Sequence, residues 1–176
     1  METTTITTLA TAISALLAAV TLLLTYLKYR EKTKTDHAER MLDLLTRTRK
    51  DRNIISFFRM IDYSEDNGWY NDGFHNSELE QTVDNTLLHF EHILYLKEQK
   101  LLNEEEFLHY VYEINKIVSN RDVQCYFFNL YQYCKRVKLP FKFSKLLNYG
   151  IEKQYIDKDF VNMESKNYGE KQLNFW

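Results

Sequence analysis

Glycine and proline are scarce in this chain, with four and one respectively among 176 residues. A sheet-rich fold needs many tight turns, and these two residues supply the backbone conformations such turns use, so their scarcity argues against it. Cysteine is nearly absent as well. Cys125 and Cys134 stand nine apart with no Cys-x-x-Cys pair and no histidine at ligand spacing, which argues against a disulfide or a metal role. They read as buried apolar side chains on one aromatic-rich helix. No Gly-rich phosphate loop, nucleophile elbow or HExxH occurs anywhere. Residues 53–176 hold 14 basic and 19 acidic side chains, so their net charge is not the footprint of a nucleic-acid binder.

Long apolar runs are missing too, with one exception. Residues 6–27, ITTLATAISALLAAVTLLLTYL, are 22 residues without a charge. At about 1.5 Å per residue they reach roughly 33 Å as a helix, enough for a hydrocarbon core of about 30 Å. A cleaved signal peptide would have a basic start and an apolar core of about 7–15 residues, and this stretch has neither. The sequence therefore predicts a single transmembrane helix. Residues 1–5 contribute only Glu2, whereas residues 28–52 carry nine basic against five acidic side chains. That bias places residues 1–5 outside and everything after the span in the cytoplasm.

Within the span, Thr7, Thr11, Ser14, Ala18, Thr21 and Thr25 recur at alternating intervals of four and three, which lines up one face. Leu9, Ile13, Leu16, Val20, Leu23, Leu24 and Leu27 lie largely on the others. Small residues let helix backbones approach closely in lipid, and hydroxyls bond across helices, so such a face predicts self-association. Two outcomes stand open. A few helices would bury the hydroxyl face as helix contact. Five or more, each about 10 Å across, would leave a central opening lined by it, and a single span per chain makes that a rotationally symmetric homo-oligomer. Lys28, Arg30, Lys32 and Lys34 have a matching pair of readings, as topology determinants beside anionic lipid heads or as basic rings at a pore mouth.

Residues 28–52 form a basic juxtamembrane helix, and with no Gly or Pro between Leu27 and Asp51 the span can run unbroken to about Lys50. Residues 53–156 then read as a cytosolic helical domain, making the chain all-α: one N-terminal transmembrane helix followed by a helical bundle. Ile54 to Ile61 continue an apolar face. Residues 64–77 form the one long loop, a length unusual enough to suggest a partner-binding site. Ser77 caps a helix over 77–99, and Asn103 with Glu106 forms a capping-box start for the next. Ser119 or Asn120 opens a helix rich in Tyr126, Phe127, Leu130, Tyr131 and Cys134, which Pro140 ends. Ser144 caps a short last helix to about Tyr155. Residues 157–176 read as a polar tail.

Catalysis finds little to work with. His89 and His92 share a helix face but lack a third ligand, so no metal and no cofactor is expected. Glu104, Glu105 and Glu106 suit a helix N-terminus electrostatically. HEPN ribonucleases use Arg followed after four to six residues by His. Here Arg30 precedes His37 by that spacing but lies against the membrane, and Arg121-Asp122 has Tyr126 in place of the imidazole that could act as acid or base, so both are read as degenerate and no catalytic residue is assigned.

Residues 87–112, LLHFEHILYLKEQKLLNEEEFLHYVY, run from an apolar-aromatic helix through a short break into an acidic helix start. With the size, the single span and the degenerate HEPN-like residues, this phrase resembles the single-span membrane accessory proteins of type VI-B CRISPR systems. The resemblance implies antiphage defence beside an RNA-guided RNA-cleaving effector: a homo-oligomeric ring that depolarises the membrane once the effector or its RNA products signal phage RNA. It implies partners in the lipid bilayer, in further copies of the chain and in that ribonuclease. A membrane-anchored adaptor using residues 64–77, or an anchored HEPN-like ribonuclease, are the alternatives.

Overall fold

A computed structural model describes residues 2–63 and 68–162, with side chains described for residue 14 and from residue 16 onward. The regular secondary structure among the described residues is all helical: α1 (Glu2–Lys50), α2 (Arg52–Tyr63), α3 (Glu78–Glu98), α4 (Glu104–Ser119), α5 (Arg121–Val137) and α6 (Ser144–Glu152), then a 3-10 turn (Lys158–Val161). They divide into two units, residues 1–47 and residues 48–176.

The first unit is helix α1 without its last turn. No Gly or Pro interrupts it, so the helix passes Leu27 without a break and stops only at Lys50. Asp51 then turns the chain, its Oδ1 accepting the Asn53 N–H at 2.8 Å. No helix among the described residues is long and apolar enough to cross a membrane. The expected span over residues 6–27 lies partly outside them, because the side chains of residues 6–13 and 15 are not described.

The second unit is built around α5. Nine consecutive residues of that helix, Asp122 to Leu130, are buried, and a helix covered on every face belongs at the centre of a domain. Local signals define its neighbours. The Ser77 hydroxyl accepts the Glu80 N–H at 3.1 Å to open α3. Asn103 and Glu106 exchange backbone bonds at 3.0 and 2.9 Å to open α4. Asn120 Oδ1 accepts the Val123 N–H at 3.0 Å to open α5, and each such cap satisfies a donor that the first helical turn leaves over. Lys138 ends α5 in the left-handed region at φ 59°, just before Pro140.

Helix α3 packs on α2, α4 and α6, α4 on α5 and α6, and the 3-10 turn on α5. The core between them is aromatic. Phe127 stacks on Phe143 at 5.4 Å, Phe74 meets Tyr126 edge-on at 5.2 Å, and Phe160 meets Phe128 edge-on at 5.9 Å. Phe160 is fully buried, so the core extends into residues that read as polar tail.

One further expectation changes. Ser144 is the first residue of α6 and not its cap, and the N-cap position, Phe143, makes no side-chain capping bond. The loop before α3 turns inward through Trp69, Tyr70 and Phe74, which are all buried, while Asn71, Asp72, Gly73 and Asn76 stay exposed. Gly68 starts this descent at φ 65°, where a side chain would be strained.

Gly150 on α6 is closely approached by its neighbours. A Cβ there would lie 2.6 Å from Ile156 Cδ1 and 3.2 Å from Val118 Cβ. The isoleucine tip can swing away, but Val118 is β-branched and held on α4, so overpacking outweighs the helix propensity that alanine adds. Gly150→Ala should lower stability by about 1–3 kcal/mol, read as a lower melting temperature of the full chain. An unchanged or higher midpoint would contradict this packing.

Candidate functional site

The described part of the apolar stretch on α1 is exposed. Leu16, Leu17, Val20, Leu22, Leu23, Leu24, Tyr26 and Leu27 are each between 47% and 72% accessible. At about 100° of rotation per residue, Leu16, Leu17, Val20, Leu23, Leu24 and Leu27 cover an arc of about 120°. Ser14, Ala18, Thr21 and Thr25 occupy a separate arc of about 60°, and all four are exposed. Thr21 donates its hydroxyl proton to the Leu17 carbonyl, and Thr25 to the Thr21 carbonyl, both at 2.8 Å. A bond back to residue i−4 satisfies the hydroxyl donor within one helix and leaves oxygen lone pairs facing outward. Thr7 and Thr11 lie outside the described side chains.

Lys28, Arg30, Lys32 and Lys34 are exposed on the following turns, and no ion pair among the described residues engages them. Arg30 and His37 are two turns apart on the same exposed helix. A single exposed helix face provides no cleft to exclude water from a reacting group.

The second degenerate pair has been absorbed into the core. Asp122 is buried, and its Oδ2 accepts the Trp69 N–H at 2.7 Å. Tyr126 is buried and donates to Asp84 Oδ1 at 2.6 Å, while Lys142 donates to the other oxygen of Asp84. Burial, followed by the charge of Asp84, pushes the Tyr126 phenol far above its ordinary range, so it stays a protonated donor. Arg121 is exposed one residue before Asp122. These side chains hold α5 to α3 and to the inward loop.

That loop carries a second polar chain. Asn129 Nδ2 donates to the Tyr70 hydroxyl at 2.9 Å, which lies 3.5 Å from His75 Nε2, and His75 Nδ1 lies 3.0 Å from Glu80 Oε1. The other histidines separate. His89 is buried with Nε2 2.8 Å from the Thr48 hydroxyl, whereas His92 is exposed and stacked on Tyr95 at 6.1 Å. His109 is exposed. No group of three or more potential metal ligands occurs among the described residues. Neither Cys125 nor Cys134 is in a disulfide, both are buried, and burial raises the Cys134 thiol.

A groove of about 660 Å³ lies between α3, α4 and α6, with Leu94, Phe107 and Tyr149 among its lining residues. Its three cations, Lys97, Lys145 and Lys153, are equalled in number by Glu98, Glu104 and Glu152, with Lys97 paired to Glu104 and Lys145 to Glu98. Such a lining selects no ligand by charge.

Two positions that the sequence left unremarked organise this unit. Asp84 is one. Glu91 is the other: its carboxylate on α3 accepts the Lys145 N–H at 2.9 and 3.1 Å and the Leu146 N–H at 2.9 Å, which caps α6 from another helix. Desolvation still outweighs these bonds and raises the pKa of Glu91. A raised carboxylate binds its proton more tightly folded than unfolded, so this group's contribution to stability falls as pH rises from its unfolded value through its folded one. Glu91→Gln should remove that part of the decline in a pH series of urea melts. An identical pH profile in the variant would contradict the assignment.

No protein-family model matches the chain, and no curated protein and no solved structure matches it.

Proposed function

We propose that this chain is a membrane-inserted homo-oligomer whose N-terminal helices surround a pore, and that it serves antiphage defence in a bacterial inner membrane. The observation that carries the reading is the exposure of α1 between Leu16 and Leu27, where eight large apolar side chains are 47% to 72% accessible. Burying each is worth about 1.5–3 kcal/mol. Left in water, together they forgo an amount comparable to the whole stability of a domain, about 5–15 kcal/mol. Lipid on the leucine arc and neighbouring copies on the hydroxyl arc remove that cost.

The internal hydroxyl bonds of Thr21 and Thr25 favour a lumen over a dry contact. Their protons are already used, and their remaining lone pairs are acceptors that water can fill. Five or more copies in a ring would give each chain the same surroundings. The role beside an RNA-guided RNA-cleaving effector rests on the resemblance of residues 87–112. These residues fold as the second part of α3, the break before Asn103 and the capped start of α4. In this reading the chain is not an enzyme, because Asp122 and Tyr126 are committed to Trp69 and Asp84.

The test is membrane potential in cells that carry the effector and encounter its target RNA. Wild-type chain should depolarise them, and Thr11→Leu combined with Ser14→Leu and Thr21→Leu should abolish most of the response while the protein stays in the membrane fraction. Equal depolarisation by the variant would remove the hydroxyl face from the pathway.

A further inference from the structure

The four cations after the apolar stretch do not share one face. By helical rotation of about 100° per residue, Lys28 and Lys32 fall within about 20° of the arc held by Ser14, Ala18, Thr21 and Thr25. Arg30 and Lys34 fall on the opposite side, within about 20° of the arc held by Leu16, Leu17, Val20, Leu23, Leu24 and Leu27. All four are exposed, and none has an ion-pair partner among the described residues. Only one acid, Glu31, lies between Lys28 and Lys34.

We propose that Arg30 and Lys34 bind the phosphate groups of anionic phospholipids, while Lys28 and Lys32 remain on the hydroxyl face. The inference rests on the membrane reading above and sharpens it by dividing the basic run between two surroundings. Axial position supports it. Arg30 lies three residues beyond Leu27, about 4.5 Å along the axis, within a headgroup layer of roughly 5–8 Å. Lys34 lies about 10 Å beyond Leu27, but helical side chains lean toward the N-terminus, so its long stem carries the ammonium back toward the bilayer.

Chemistry supports it as well. The guanidinium of Arg30 offers a planar fork of donors that matches two phosphate oxygens, and the ammonium of Lys34 adds a compact charge beside it. Tyr26 and Tyr29 are 60% and 69% exposed on the same turns. Their amphipathic rings belong at the level of the headgroups.

The probe is a bilayer nanodisc of mixed phosphatidylglycerol and phosphatidylcholine, loaded with the full chain, and the readout is the enrichment of phosphatidylglycerol that remains bound after extraction. Wild-type chain should enrich it. Arg30→Gln with Lys34→Gln should reduce the enrichment on the order of 10-fold or more, from about 5-fold per basic residue at an anionic surface, whereas Lys28→Gln with Lys32→Gln should stay within about two-fold. Equal losses in the two double variants, or no enrichment by wild-type chain that is inserted, would overturn this inference and leave the membrane reading standing. A chain recovered without detergent in the aqueous fraction of cells would overturn both.

Discussion

Exposed leucine in water is the constraint from which the rest follows. Helix α1 keeps its helical backbone satisfied by its own hydrogen bonds, and Thr21 and Thr25 satisfy their hydroxyl donors on that same backbone. Polar groups therefore ask nothing of a partner, while Leu16, Leu17, Leu22, Leu23 and Leu24, all more than half accessible, ask for an apolar solvent. On the membrane reading proposed above, lipid would meet both conditions, since backbone satisfaction is obligatory there and apolar side chains cost nothing. The unpaired cations that follow fit the boundary at which that solvent ends.

The second unit solves a different problem with a different device. Its core is filled by aromatic rings meeting mostly edge-on, an arrangement that suits their quadrupoles and places large apolar area around α5. Several polar groups enter that core in pairs, while Trp69 Nε1 and the Tyr110 hydroxyl are buried without a hydrogen-bond partner among the described residues. Asp122 meets a backbone N–H, Tyr126 meets Asp84, Asn129 meets Tyr70, and His89 meets Thr48 in the last turn of α1. Unpaired, each would carry a desolvation cost of about 1–3 kcal/mol, so these bonds specify which surface of each helix faces inward. Packing thus explains Asp122 and Tyr126, two of the positions that resemble a broken nuclease motif.

Much of this was legible because its causes are local. Ser77, Asn103 with Glu106, and Asn120 lie within one turn of the N–H groups they cap, so spacing alone announces them. The unbroken run from Leu27 to Lys50 follows from residues that are missing between them. What escaped notice depends on partners far along the chain. Glu91 reaches the start of α6 across more than fifty residues, Asp84 receives Tyr126 and Lys142, and the loop holding Trp69 is pinned by Asp122. A surface acid and a capping acid look alike in sequence, and the inward turn of Trp69, Tyr70 and Phe74 depends on partners that spacing does not reveal. Ser144 shows the converse, a residue with the right chemistry for a cap whose place was taken from outside.

The hydroxyl face of α1 is the one element whose role depends on how many chains meet. Size in detergent tests this most directly. The full chain, solubilised gently from membranes and weighed by light scattering with the detergent contribution subtracted, should form an assembly of at least five copies of the 21.3 kDa subunit. A monomeric or dimeric particle would contradict the account, because two helices enclose no lumen.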